Sequence, residues 1–123
     1  MRFRLYSCTL VADIEAVFHQ VKVPESDRDN LRFLWWPNGD LTHKPIAYRM
    51  NSHAFGATSS PTCAALALNQ TVDSNLADRD ERKLNLAKRA FYVSDCFLSL
   101  NFPDEVKEMA KCLKDTLSRG FLT

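Results

Sequence analysis

Nothing in the 123-residue sequence spells a zinc or redox motif. Cys8, Cys63, Cys96 and Cys112 are far apart and form no Cys-x-x-Cys or Cys/His spacing. They are expected to be reduced, mostly buried thiols in an intracellular protein, cytoplasmic or nuclear. His19, His43 and His53 do not fall at a zinc-ligand spacing either. No apolar run approaches the roughly 20 residues that a membrane span needs. Met1-Arg2-Phe3-Arg4 is basic, yet no apolar segment and cleavage site of a signal peptide follow it. Charge of one sign is scarce too, since the net charge is only +1, and a free-standing DNA-binding module is usually more basic. There is no internal repeat and no low-complexity tract.

What is present is the composition of one soluble globular domain. Apolar residues make up 46% and charged residues 25%, enough to exclude disorder and to build a sizeable core. Tyr6 to Ala12 reads as a strand. Ile14, Val17, Phe18 and Val21 then recur at helical spacing, which predicts a short helix from Asp13 to the turn at Pro24-Glu25-Ser26-Asp27. Leu31 to Trp36 suits a strand, Pro37-Asn38-Gly39-Asp40 a turn, and the alternation from Ile46 through Met50 a second strand, so a hairpin with a long connection is expected.

Ser60 is placed as a helix N-cap with Pro61 at the first helical position, followed by the good helix formers Cys63 to Leu68. A solvated helix is expected over Arg82 to Arg89. Phe91 to Leu100 is apolar except at Ser94, Asp95 and Ser99. Val106, Met109, Ala110, Leu113 and Leu117 form the stripe of an amphipathic helix, with Asp104 and Glu105 in its first turn, Arg119 in its last and Gly120 as its stop. The order strand, helix, hairpin, helix, strand pair, helix predicts an α+β domain.

Two carboxylates stand out. Asp13 follows a buried-looking strand, and Asp95 interrupts a run that otherwise reads as core. A carboxylate in such surroundings must be paired, bind a metal or reach water. A tight hairpin with Ser94-Asp95 at its tip satisfies Asp95 and leaves Asp13 free to approach from a neighbouring strand. Two carboxylates meeting at strand ends suit a two-metal phosphoryl-transfer site. Spacing alone equally allows Asp13 as a helix N-cap and Asp95 as a turn residue.

Four blocks carry a resemblance. Val11-Ala12-Asp13-Ile14-Glu15-Ala16-Val17-Phe18-His19-Gln20-Val21 resembles motif A of reverse transcriptases in the wording of BEL/Pao-type LTR retrotransposons. Arg32-Phe33-Leu34-Trp35-Trp36 with Tyr48-Arg49-Met50 is similar to the hairpin that follows in that group. Phe55-Gly56-Ala57-Thr58-Ser59-Ser60-Pro61 looks like its motif B, and Phe91-Tyr92-Val93-Ser94-Asp95-Cys96 like its motif C. The blocks come in family order across nearly the whole chain.

The resemblance implies a single partial reverse-transcriptase domain over 1–123, with motif A at about 10–21, a fingers-like hairpin at about 31–53, motif B at about 55–68 and motif C at about 91–100. Its fold would be the polymerase palm, a ferredoxin-like antiparallel sheet with helices on one face, plus part of the fingers. Its activity would be RNA-directed DNA polymerisation with Mg²⁺ or Mn²⁺ on a template-primer and deoxynucleotides. Asp13 and Asp95 would be metal ligands. Phe18, Phe55 and Gly56 would sit at the nucleotide, with Phe18 screening its sugar, and Ser60, Pro61 and Tyr92 would lie at the template-primer.

Active members carry Tyr-x-Asp-Asp where this sequence has Tyr92-Val93-Ser94-Asp95. Ser94 therefore occupies the position of an aspartate the family relies on, and nucleotidyl transfer by this chain is expected to be lost. Fingers upstream and a thumb downstream, as the family has them, are not within these residues. The alternative is a non-catalytic relic that binds nucleic acid or a protein. Apolar surface around Trp35, Trp36 and Phe55 is expected to favour self-association, and no membrane partner is expected.

Overall fold

The computed structural model describes residues 4–76 and 80–120. It is an α+β arrangement of two small antiparallel sheets and three helices. Strand β1 (Cys8–Asp13) leads into turns. The hairpin β2 (Arg32–Trp35) and β3 (Ile46–Arg49) comes next, then helices α1 (Ser60–Asn75) and α2 (Glu81–Ala90). Strands β4 (Phe91–Tyr92) and β5 (Asp95–Leu100) and helix α3 (Pro103–Gly120) complete the order.

The first sheet runs β1-β5-β4. Its β5 strand alternates strictly: Cys96, Leu98 and Leu100 are buried, while Asp95, Phe97 and Ser99 are not. The register sets Cys8 against Leu100, Leu10 against Leu98 and Ala12 against Cys96, and directly opposite residues share a face of the pleat. That face is the core face. Against it pack Val106, Met109 and Leu113 of α3, Ala87 and Ala90 of α2, and Val72 of α1. The predicted stripe on α3 is thus the stripe that is buried. The helices lie on this side, and the other face of the sheet keeps Val11 59% exposed.

A second cluster joins the turn after β1 to the helices: Ile14, Val17 and Phe18 pack with Ala64 and Leu68 of α1 and Leu117 of α3. Here the structure corrects the predicted helix. Residues 15–20 form successive turns rather than a helix, and Ala16 has a φ of +51°. A left-handed residue breaks the ladder, and a segment this short, rich in β-branched and aromatic residues, repays helix nucleation poorly. The helical spacing still marks Ile14, Val17 and Phe18 as buried, whereas Val21 is half-buried and Val23, off that spacing, is buried.

Helix α1 carries a second correction. Its N-cap is Ser59, without a side-chain cap bond, so Ser60 is the first helical residue and Pro61 the second. Ser60 is 1% exposed. Its hydroxyl turns inward, donating to the Ala54 carbonyl at 2.7 Å and lying 3.3 Å from His53 Nδ1. Asp80 caps α2 by accepting from the Arg82 amide at 3.0 Å. At the far end of α3, a Cβ on Gly120 would meet Asn75 Nδ2 at 2.7 Å and Thr71 Cγ2 at 2.8 Å, so glycine lets α3 close on α1.

The second sheet is the β2–β3 hairpin, paired Arg32 to Arg49 through Trp35 to Ile46, with the predicted long connection from Trp36 to Pro45. Among the described residues no helix is long and apolar enough to cross a membrane.

Candidate functional site

Strand β1 ends on the residue opposite the first residue of β5: the register sets Asp13 against Asp95. Such partners in an antiparallel pair have Cα atoms only ~4.5–5.5 Å apart and side chains on one face. The alternation assigns that face. Thr9 with Ser99, Val11 with Phe97, and Asp13 with Asp95 all lie on the side away from the helices. Asp13 is exposed and Asp95 half-buried, so both carboxylates reach water at the end of the sheet.

The tip between β4 and β5 is tight. Tyr92 pairs with Asp95, so the tip is Val93-Ser94, one residue earlier than the expected Ser94-Asp95, and Asp95 belongs to β5. The Ile14 amide donates to the Ser94 carbonyl at 2.9 Å, which fastens the tip to the end of β1. Val93 has a φ of +57°. Two-residue hairpin turns need a positive φ at the first tip position, and glycine usually supplies it. A β-branched residue there is strained by ~1–2 kcal/mol. Ala16 after Asp13 and Val93 before Asp95 are thus both left-handed residues close in sequence to the carboxylates.

The structure brings Asp13 to Asp95 and, separately, Phe18 to Phe55. Phe18 is 8% exposed and meets Phe55 edge-on, with centroids 4.9 Å apart. Phe55 is 65% exposed and also contacts His19 at 5.4 Å. Gly56 has a φ of +84° and open space where a Cβ would go, so its conformation rather than crowding calls for glycine. The buried Ser60 hydroxyl holds the residue before this Phe55-Gly56 turn. Tyr92, on the open face, is 74% exposed. It also lines an open groove of about 910 Å³ with Tyr6, Arg82, Arg89 and Phe97.

Sequence reading missed four of these features. His19 beside Phe55, the arginines of α2 near Tyr92 and the left-handed Ala16 and Val93 carry no local signal. Valine is among the last residues a positive φ would suggest.

Chemically, the strand ends offer the carboxylates of Asp13 and Asp95, with the neutral Ser94 next to Asp95 in sequence. That donor set fits a hard divalent cation such as Mg²⁺, which takes oxygen ligands and is commonly held by one or two carboxylates beside substrate phosphates. Among the described residues no group of three or more His, Cys, Asp and Glu is poised for a metal. Compared with family models and with curated protein sequences, the chain matches none.

Proposed function

We propose that this chain is a reverse-transcriptase palm of BEL/Pao type whose metal site has lost one of its charges, so that it is a polymerase by descent and silent in nucleotidyl transfer. The observation that carries the reading is the facing of Asp13 and Asp95 at the end of β1 and β5. The four motif-like blocks identify the carboxylates, and the register brings together the two that the motifs single out.

In this reading Asp13 and Asp95 would hold Mg²⁺, which when bound polarises phosphate oxygens and offsets charge developing in the transition state. Phe18, fixed by Phe55 and the second core cluster, limits the room beside the nucleotide sugar. Tyr92, exposed on the same face, faces the primer end. Ser94 supplies a neutral oxygen where a carboxylate would add a charge. Losing most of one ion's stabilisation, several kcal/mol, lowers the rate on the order of 10²–10⁴-fold.

The test is titration with Mn²⁺ followed by relaxation of amide signals, alongside primer extension. Broadening is expected at Ile14, Ser94 and Asp95, with affinity strengthened at least about tenfold by Ser94→Asp, a shift of ~1.4 kcal/mol. If Ser94→Asp binds no better than the parent and the broadening falls elsewhere, the carboxylate pair is not a metal site and the reading fails. Extension by the unmodified chain at the rate of its Ser94→Asp variant would overturn its silence.

A second reading, a non-catalytic domain that binds a partner, is favoured by the aromatic residues left exposed on the hairpin, Phe33, Trp35 and Tyr48.

A further inference from the structure

Strands β2 and β3 stand apart from the core. Every residue in both is exposed, and among the described strands they pair only with each other. A lone two-stranded hairpin is marginal in water. This one displays Phe33 stacked on Tyr48 at 5.8 Å and Trp35 beside Trp36 at 5.8 Å. By register Phe33, Trp35, Ile46 and Tyr48 share one face. A contiguous apolar face of this kind marks an interaction surface.

Both strands of the ribbon are blunted at their ends. β3 follows Lys44-Pro45 and ends on Arg49, whose guanidinium reaches Glu25 at 3.4 Å and Asp29 at 3.5 Å. Lysine, proline and fixed charge are the devices that blunt a sheet edge. β2 likewise opens on Arg32, 3.8 Å from Asp29, and is followed by Pro37, so Phe33 to Trp36 is the longest stretch of the ribbon without such a device, against Ile46 to Tyr48 in β3.

Charge then narrows the occupant. Residues 22–50 hold five Lys and Arg against four Asp and Glu, and Arg32 lies 3.8 Å from Asp29. There is no basic stripe to follow a phosphate backbone, and a near-neutral surface does not repel its own copy. The β2 sequence is also complementary to itself. Antiparallel pairing about Leu34 sets Leu34 against Leu34, Phe33 against Trp35, and Arg32 against Trp36. Aromatic then meets aromatic and guanidinium meets indole, both favourable cross-strand pairs.

We propose that β2 is a dimerisation edge that joins two copies of this chain into a four-stranded antiparallel sheet centred on Leu34. The aromatic faces of the two hairpins then form one surface. This inference stands on the hairpin alone and does not depend on the polymerase reading.

Sedimentation of the 123-residue chain from submicromolar to high micromolar concentration tests it. The expected result is a dimer that dissociates on dilution. Leu34→Lys sets two ammonium groups opposite each other and weakens the dimer on the order of tenfold or more, whereas Leu66→Lys, equally exposed on α1, does not. Oxidised Leu34→Cys gives a reducible covalent dimer that neither the parent nor Leu41→Cys gives, because cross-strand Cα spacings of ~4.5–5.5 Å lie within disulfide reach. A chain that stays monomeric throughout, or a dimer indifferent to Leu34→Lys and unlinked by Leu34→Cys, overturns the proposal. So does tryptophan quenching by a single-stranded oligonucleotide with no dimer formed.

Discussion

Asp13 and Asp95 face each other across β1 and β5 with like charge and no cation among the side chains that pair with them. Opposed like charges on adjacent strands oppose folding by roughly 0.2–1 kcal/mol. Asp13→Asn is therefore expected to stabilise the chain by about that amount in the presence of a chelator, and by less in high salt. Thermal unfolding with and without added salt measures it. A destabilised variant in chelator would mean that the two carboxylates do not oppose each other.

Val93 is expected to yield a stabilising substitution at a position where valine looks ordinary. Val93→Gly removes a left-handed strain of ~1–2 kcal/mol and returns part of it as glycine's greater freedom when unfolded, ~0.5–1 kcal/mol. The net expected gain is about 0.5–1 kcal/mol in urea unfolding. A loss would show that the tip turn is relaxed with valine in place.

Leu98 lies at the centre of the β1-β5-β4 sheet, 2% exposed, under Val106, Met109 and Leu113. Leu98→Ala is expected to cost ~2–5 kcal/mol through lost transfer energy and the cavity it leaves. Phe97→Ala, one residue along on the open face, is expected to cost less than half as much. Equal losses from the two would contradict the assignment of faces.

Cys96 gives a pH signature. Burial raises its thiol from 9.0 to about 11, so the unfolded chain gives up this proton before the folded one does. The stability linked to it is complete below pH 9 and is lost as pH rises through about 11. The difference in unfolding free energy between the parent and Cys96→Ala should shrink across that window. A constant difference would mean that the thiol is solvated. The same burial predicts that Cys96 is alkylated last among the four cysteines.

Much of this fold was legible because period and burial agree. The α3 stripe, the apolar β5 strand and the hairpin turn at Pro37-Asn38-Gly39 each follow one rule applied locally. The segment after Asp13 shows the limit. Ile14, Val17 and Phe18 have helical spacing and are buried, yet one left-handed alanine makes the chain a run of turns. Side-chain spacing reports which residues meet the core, whereas the backbone path depends on what α1 and α3 leave room for. Ser60 failed as a cap because the helix begins one residue earlier, and its hydroxyl is turned inward to donate to the Ala54 carbonyl, a partner reached only in three dimensions. That Asp13 and Asp95 stand at strand ends was readable, whereas their exact register was not, because a strand gives no sign of which residue will face it.

Helix α2 passes directly into β4, with Ala90 ending one and Phe91 beginning the other. The chain between them has no slack. One inserted residue would turn Phe91 outward and Tyr92 toward the helices, since a slip of one inverts every side chain on a strand. Variation in length among descendants of this sequence should therefore collect in the connection from Trp36 to Pro45 and be purged at the α2–β4 junction. That junction works as a ruler, and what it measures is the distance from a helix to the tip that precedes Asp95.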